Sequence, residues 1–232
     1  MSSRGAVEAV FGYRADVESV LLRRLAAHRG VAVPDQERLP EFADDLGWRL
    51  ADMLAIAGLP IPGELMPADP TAKRQVRHVL QEACRLTAEE LGPIRQYARA
   101  LPPSPNPRQQ AAPPATVTFG AVLERLMLVR NLDDTSVCNV IAWSEALLRR
   151  LILGYFPPKP VWLLYLGDVL DLRPDDLAAL SAVPTPSGNA PTPDYRSHVG
   201  GLVWDLTPLS ADAIEQVASF VVEMRHDAAC NW

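Results

Sequence analysis

Lysine is nearly missing from this 232-residue chain: Lys73 and Lys159 stand against 20 arginines and 28 acids, for a net charge of −6. That balance excludes a protein that coats nucleic acid through bulk positive charge, and leaves only a local basic face for such a role. Cysteine is scarce too. Cys84, Cys138 and Cys230 form no CxxC pair, which excludes a disulfide scaffold, and they read as buried reduced thiols. His28, His78, His198 and His226 share no spacing that would make a metal site. Aromatics make up 6%, and no window of 18 uncharged apolar residues exists, so no membrane span is expected. The opening MSSRGAVEAVFGYRAD interrupts its apolar letters with charges too often for a secretory segment, and a cytoplasmic protein is expected. GxSxG, Walker, GxGxxG and HExxH patterns are all missing, so no catalytic residue, metal or cofactor is expected and the chain does not read as an enzyme.

Proline is abundant, 22 against 13 glycines, and it must sit between elements rather than inside them. Six prolines fall in 102–116 (PPSPNPRQQAAPPAT) and four in 184–193 (PTPSGNAPTP). The first tract reads as a linker, spanning up to about 45 Å if polyproline-like, between units 1–101 and 117–232. The second reads as an excursion within the later unit. Elsewhere apolar residues recur at helical spacing, as in Val17, Val20, Leu21, Leu25 and Val122, Leu123, Leu126, Val129, and no period-two run is long enough for a sheet. The fold class is all-α.

The chain also repeats itself. Residues 76–101 overlay 199–224 without a gap at an offset of 123, so that Val76 meets Val199, Leu80 meets Val203, Ile94 meets Val217 and Tyr97 meets Phe220. Each copy reads as a helical hairpin, the second spanning 199–226, with Thr87 or Ser210 capping its second helix. Upstream, Phe42 to Ile56 match Val137 to Leu151 at an offset of 95, and Leu22, Leu25 and Arg29 match Leu123, Leu126 and Arg130 at 101. The pattern is that of a diverged tandem duplication.

From Leu132 to Gly154 the spacing is that of a helix-turn-helix, with small Cys138 at the helix contact, small Ala142 at the turn, and Trp143, Leu148 and Leu151 facing inward. With Pro160 to Leu177 following, residues 119–180 resemble the five-helix, lambda-repressor-like unit of Xre/Cro-type transcriptional regulators. Residues 16–101 resemble it more faintly, through Phe42-Ala-Asp-Asp-Leu-Gly-Trp48. The terminal hairpin is similar to the dimer-forming C-terminal helices of actinobacterial regulators of the EspR kind. The resemblance implies a sequence-specific DNA-binding regulator whose third helix lies in a major groove. It assigns base and phosphate contacts to Arg49, with Leu50, Ala51 and Asp52 beside it, in the first unit. In the second it assigns them to Arg130, Ser144, Arg149, Arg150 and Lys159.

Asp133, Asp134 and Glu145 depart from that pattern, because they place acid where phosphate should approach. Leu147 and Ile152 are expected to be exposed on the same helix. A second reading follows, in which these surfaces hold a protein partner rather than DNA. Trp48 and Trp143 read as core, and Asp175-Asp176 as a helix N-terminal turn. Leu202, Val203, Trp204, Ile214, Val217 and Phe220 offer more apolar surface than one hairpin can bury. They predict either a homodimer or closure of the chain on itself.

Overall fold

The computed structural model describes residues 19–105, 107, 110–115, 117–185 and 199–230, with side chains to Arg225 in the last helix. His198, the first eighteen residues and most of the second proline tract lie outside the described residues. The chain is all-α: among the described residues there are twelve helices, and extended backbone pairs only at one isolated bridge. No described helix is long and apolar enough to cross a membrane.

Helices α1 (Val20–Arg29), α2 (Leu39–Leu46) and α3 (Leu50–Ala57) form a first triplet. Helices α6 (Phe119–Leu128), α7 (Asp134–Ile141) and α8 (Glu145–Ile152) form a second. Their lengths are 10, 8 and 8 residues in both cases. Left-handed residues punctuate both triplets at matching places: Gly30, Gly47 and Gly58 in the first, Asn131, Ala142 and Gly154 in the second. A left-handed residue satisfies the carbonyls at a helix end and redirects the chain, so a repeated set of such residues gives a repeated path. Gly58 is required twice over, since an added Cβ would also lie 2.5 Å from Val117 Cγ2 and 2.9 Å from the Ala115 carbonyl oxygen.

Between and after the triplets come α4 (Lys73–Ala83), α5 (Ala88–Ala100), α9 (Pro160–Leu170), α10 (Pro174–Ser181), α11 (Val199–Leu206) and α12 (Ala211–Cys230). Thr87 and Glu90 form the capping box that opens α5. The hairpins α4–α5 and α11–α12 pack on each other: α4 against α12, α5 against α11, with α4 also touching α11 and α5 touching α12. Leu202, Val203, Ile214 and Val217 are buried in this intramolecular bundle. The apolar face read as a dimer interface is therefore covered within one chain, and closure of the chain on itself is the arrangement seen.

The halves interlock elsewhere as well. Helix α10 lies on α1, and α3 lies on α6, so a single apolar core runs from Leu21 to Val221. The described residues of the first proline tract follow this body rather than spacing two others. Ala112 exchanges both backbone hydrogen bonds with Ile61 at 2.9 Å, Ala115 N–H donates to the Gly58 carbonyl, and Ser104 N–H donates to that of Pro208.

Two arginines that the 101-residue offset equates fasten this contact. Arg29 donates through Nε and Nη2 to both oxygens of Asp176 at 2.7 and 2.6 Å. Arg130 donates through Nη1 and Nη2 to both oxygens of Asp52 at 2.6 and 2.8 Å, and through Nε to the Leu170 carbonyl. Each aspartate belongs to the other half of the chain. Both are fully buried, and a buried carboxylate persists only when its lone pairs are met by donors of this kind.

Candidate functional site

In both triplets a left-handed residue, one tryptophan and one capping position separate the second helix from the third: Gly47-Trp48-Arg49 and Ala142-Trp143-Ser144. The third helices then meet opposite fates. Every residue of α3 from Ala51 to Ala57 is buried, including Asp52 in its pair with Arg130. Ala51 and Asp52 therefore face the interior, and α3 has no free face to present to a ligand. Arg49 donates to Asp171 Oδ2 at 3.1 Å and sits 4.0 Å from the centre of the Trp204 ring. Arg130 lies 4.5 Å from the same ring centre, so Trp204 has a guanidinium from each half within cation–π range. Arg130 has no exposed surface. As a fully buried side chain it fixes the interior and has no route to a phosphate, which corrects its place among the expected DNA contacts.

Helix α8 is amphipathic and open. Leu148, Leu151 and Ile152 are buried against α6 and α7, while Ser144, Glu145, Ala146, Arg149 and Arg150 face solvent. Gly120 makes the close approach to α6 feasible, since a Cβ there would fall 1.9 Å from the Ile152 carbonyl oxygen. Ser144 caps α8 by accepting from Leu147 N–H at 3.3 Å. Ile152, expected exposed, is buried, and Leu147 is half-buried. The apolar exposure lies just beyond the helix instead, at Leu153 (65%) and Tyr155 (73%). Behind them Trp143, Phe156 and Trp162 meet edge to face, and Lys159 Nζ lies 5.3 Å from the Trp162 ring centre.

Acids surround the N-terminal end of α8. Arg149 pairs with Asp134 and, at 3.2 Å, with Glu124, while Glu145 accepts from the Thr135 hydroxyl. Burial pushes the Asp134 carboxyl above the usual carboxylate range, against the opposing pull of Arg149. Asp133 caps α7 through Ser136 and pairs with Arg77. Despite partial burial, those donors hold its carboxyl below the usual range. Arg150 and Lys159 have no ion-pair partner among the described residues. Among the cations assigned by residue type to this face, Arg150 and Lys159 are thus the two with free charge.

Sequence reasoning missed the role of Asp176. It is the buried receiver of Arg29 and of Trp48 Nε1, which donates at 3.2 Å, and not simply part of a solvated helix turn. His28, Asp175 and Asp176 bring one ligand atom each within 4.8 Å of one another. The set is already neutralised, because Arg29 holds Asp176 and Arg173 holds Asp175.

A cleft of about 570 Å³ opens between the proline tract, α6 and the first turns of α7 and α8. Lys73, Glu124, Arg125, Asp134, Glu145 and Arg149 line it. No sequence signal marks it, since its lining comes from five separate segments. Compared with protein-family models, curated proteins and solved structures, the chain matches none.

Proposed function

We propose that the chain is a sequence-specific DNA-binding regulator that reads DNA through α8 alone. The observation that carries this reading is the open outer face of α8, which starts at the Ser144 cap and runs through Arg150 with no other element packed over it among the described residues. A capped, exposed second helix after a tight left-handed turn has the form that enters a major groove. The resemblance of residues 119–180 to Xre/Cro-type regulators points the same way. The burial of α3 argues for a single reading helix and a target without a repeated half-site.

Random-library selection with the full chain at low salt tests this. One short, non-palindromic motif is expected. Arg149, Arg150 and Lys159 neutralise roughly three phosphates at most, so log affinity should fall with log salt at a slope of about −3 or shallower. Recovery of no enriched motif overturns the reading.

A protein partner is the second reading, and a specific observation favours it. Leu153 and Tyr155 stand exposed beside the Trp143–Trp162–Phe156 cluster, while two acids already engage Arg149. Exposed apolar side chains next to rigid rings suit a protein surface better than a phosphate backbone.

A further inference from the structure

We propose that the cleft below α8 binds a small amphoteric molecule, carrying a carboxylate and ammonium groups, and that binding releases Arg149 from Asp134 and Glu124. The volume, about 570 Å³, lies within the range of small-ligand sites.

Two cations of the cleft, Arg125 and Lys73, lack a carboxylate partner among the described residues. Arg125 is 6% exposed, and it donates through Nη1 to the Pro113 carbonyl at 2.6 Å and through Nη2 to that of Leu59. Its Nε is buried with no acceptor, and among the described residues no carboxylate pairs with it. Burial accordingly pulls its pKa down. A buried guanidinium held only by neutral carbonyls lacks a counter-charge. Lys73 lines the same cleft and likewise has no ion pair among the described residues. A ligand carboxylate supplies the counter-charge that these cations lack.

The acids of the cleft in turn lack positive charge. Glu124, Asp134 and Glu145 have only Arg149 among the cleft's cations as an ion-pair partner, and Glu145 does not pair even with it. Ammonium groups supply what these carboxylates lack. With Asp133 the cleft carries four carboxylates, so a purely anionic ligand is repelled, while a purely cationic one leaves Arg125 unanswered. An ammonium that takes over Asp134 and Glu124 removes both partners of Arg149, a residue of the exposed face of α8. The regulatory meaning of that release rests on the DNA reading; the binding does not.

The test is titration of the ¹⁵N-labelled full chain with L-lysine, whose two ammonium groups and carboxylate match the unanswered charges of the lining, and with 1,5-diaminopentane, which lacks the carboxylate. L-lysine is expected to shift the amides of Glu124, Asp134 and Thr135 and the Arg149 Nε–H signal saturably. The diamine should bind at least about tenfold more weakly, the loss of one charge-assisted contact. Lys73→Ala and Asp134→Asn should each weaken L-lysine by a similar factor with the helical circular dichroism unchanged. Two variants, one at a cation and one at an acid, keep the result readable if one fails to fold. No saturable shift with L-lysine up to about 10 mM, a very weak affinity, overturns the proposal, as does equal affinity for the diamine. A chain that binds L-lysine yet enriches no DNA motif keeps this site and overturns the DNA reading alone.

Discussion

Tyr97 and Phe220 stack with ring centroids 4.4 Å apart and planes 18° from parallel, and each is the residue that the 123-residue offset equates with the other. Equivalent positions meet face to face only beside an axis that exchanges the two copies. The crossed packing of α4 on α12 and α5 on α11 obeys the same exchange. One chain thus carries the geometry of a two-fold dimer. Phe220→Ala should destabilise the fold by about 2–4 kcal/mol, somewhat below a fully enclosed aromatic because the ring is half-buried. Tyr97→Ala should cost a similar amount, and the double variant should cost less than the sum, since the second truncation finds the stack already lost. Urea unfolding of the three variants measures this, and strict additivity counts against the stack as a shared contact.

The Asp52–Arg130 pair has no contact with solvent. Removing one partner leaves a buried charge, so Asp52→Ala should cost about 3–5 kcal/mol. Replacing both by apolar residues of similar size, Asp52→Leu with Arg130→Met, should recover most of that loss. The comparison separates the cost of an orphaned ion from the net worth of the pair. A double variant as unstable as the single one indicates that the Arg130 bonds to the Leu170 and Leu126 carbonyls, lost only in the double variant, are worth as much as the relief of the unpaired charge.

The repetition was legible in the sequence because apolar residues at helical spacing survive divergence: Leu25 and Leu126, or Val79 and Leu202, are buried at matching positions of the two copies. The all-helical class followed from the same periodicity. The fate of α3 was not legible, because burial of Ala51–Ala57 depends on α6 arriving from the other half, and a run such as ADMLAIA reads the same whichever element covers it. Likewise Arg29 and Arg130 matched in register, but Asp176 and Asp52 occupy unrelated positions and meet them only through the interlocked fold. Charged residues identify themselves by type; their partners are set in three dimensions. That is why Arg130 was assigned to DNA by residue type and lies in the interior.

Ala142 turns the chain into α8 at φ 56°, where its counterpart in the first triplet is Gly47. A residue with a Cβ is strained in that region, whereas glycine is not. Ala142→Gly should therefore stabilise the fold by about 0.5–1 kcal/mol, net of the added freedom of the unfolded chain. Thermal unfolding checks the sign, and a loss of stability indicates that the Ala142 methyl group itself makes a stabilising contact.

Asp175 is held down to about 2 by its hydrogen bond from Arg173, with charge pairing to Arg173 and backbone donors adding to it, against the opposing effect of burial. A depressed carboxyl contributes stability that is present above its unfolded pKa, near 3.9, and is lost as pH falls through the folded value. The window therefore runs from about pH 5 down to about pH 2. Because Arg173 is exposed, the contribution is small and salt-screened. Arg173→Ala should move the Asp175 carboxyl resonance midpoint upward toward the usual range, as read by ¹³C NMR. An unmoved midpoint assigns the shift to backbone donors instead.

The two readings of α8 divide over Arg150 and Tyr155, which sit five residues apart at its end and just beyond it. Arg150 has no ion-pair partner among the described residues, and Tyr155 is 73% exposed. Neither supports the fold, so replacing either should leave thermal stability within about 0.5 kcal/mol of the parent. If α8 reads DNA, Arg150→Ala should weaken a selected site by about 1–3 kcal/mol when it contacts a base, or less while flattening the salt slope by about one when it contacts phosphate. Tyr155→Ser should then change little. If the surface holds a protein, the order reverses: loss of an aromatic anchor should cost about 2 kcal/mol or more, and a rim arginine less, mostly in association rate. Measuring both variants by anisotropy on selected DNA, and by titration against any captured protein, assigns the surface from the ratio of the two losses.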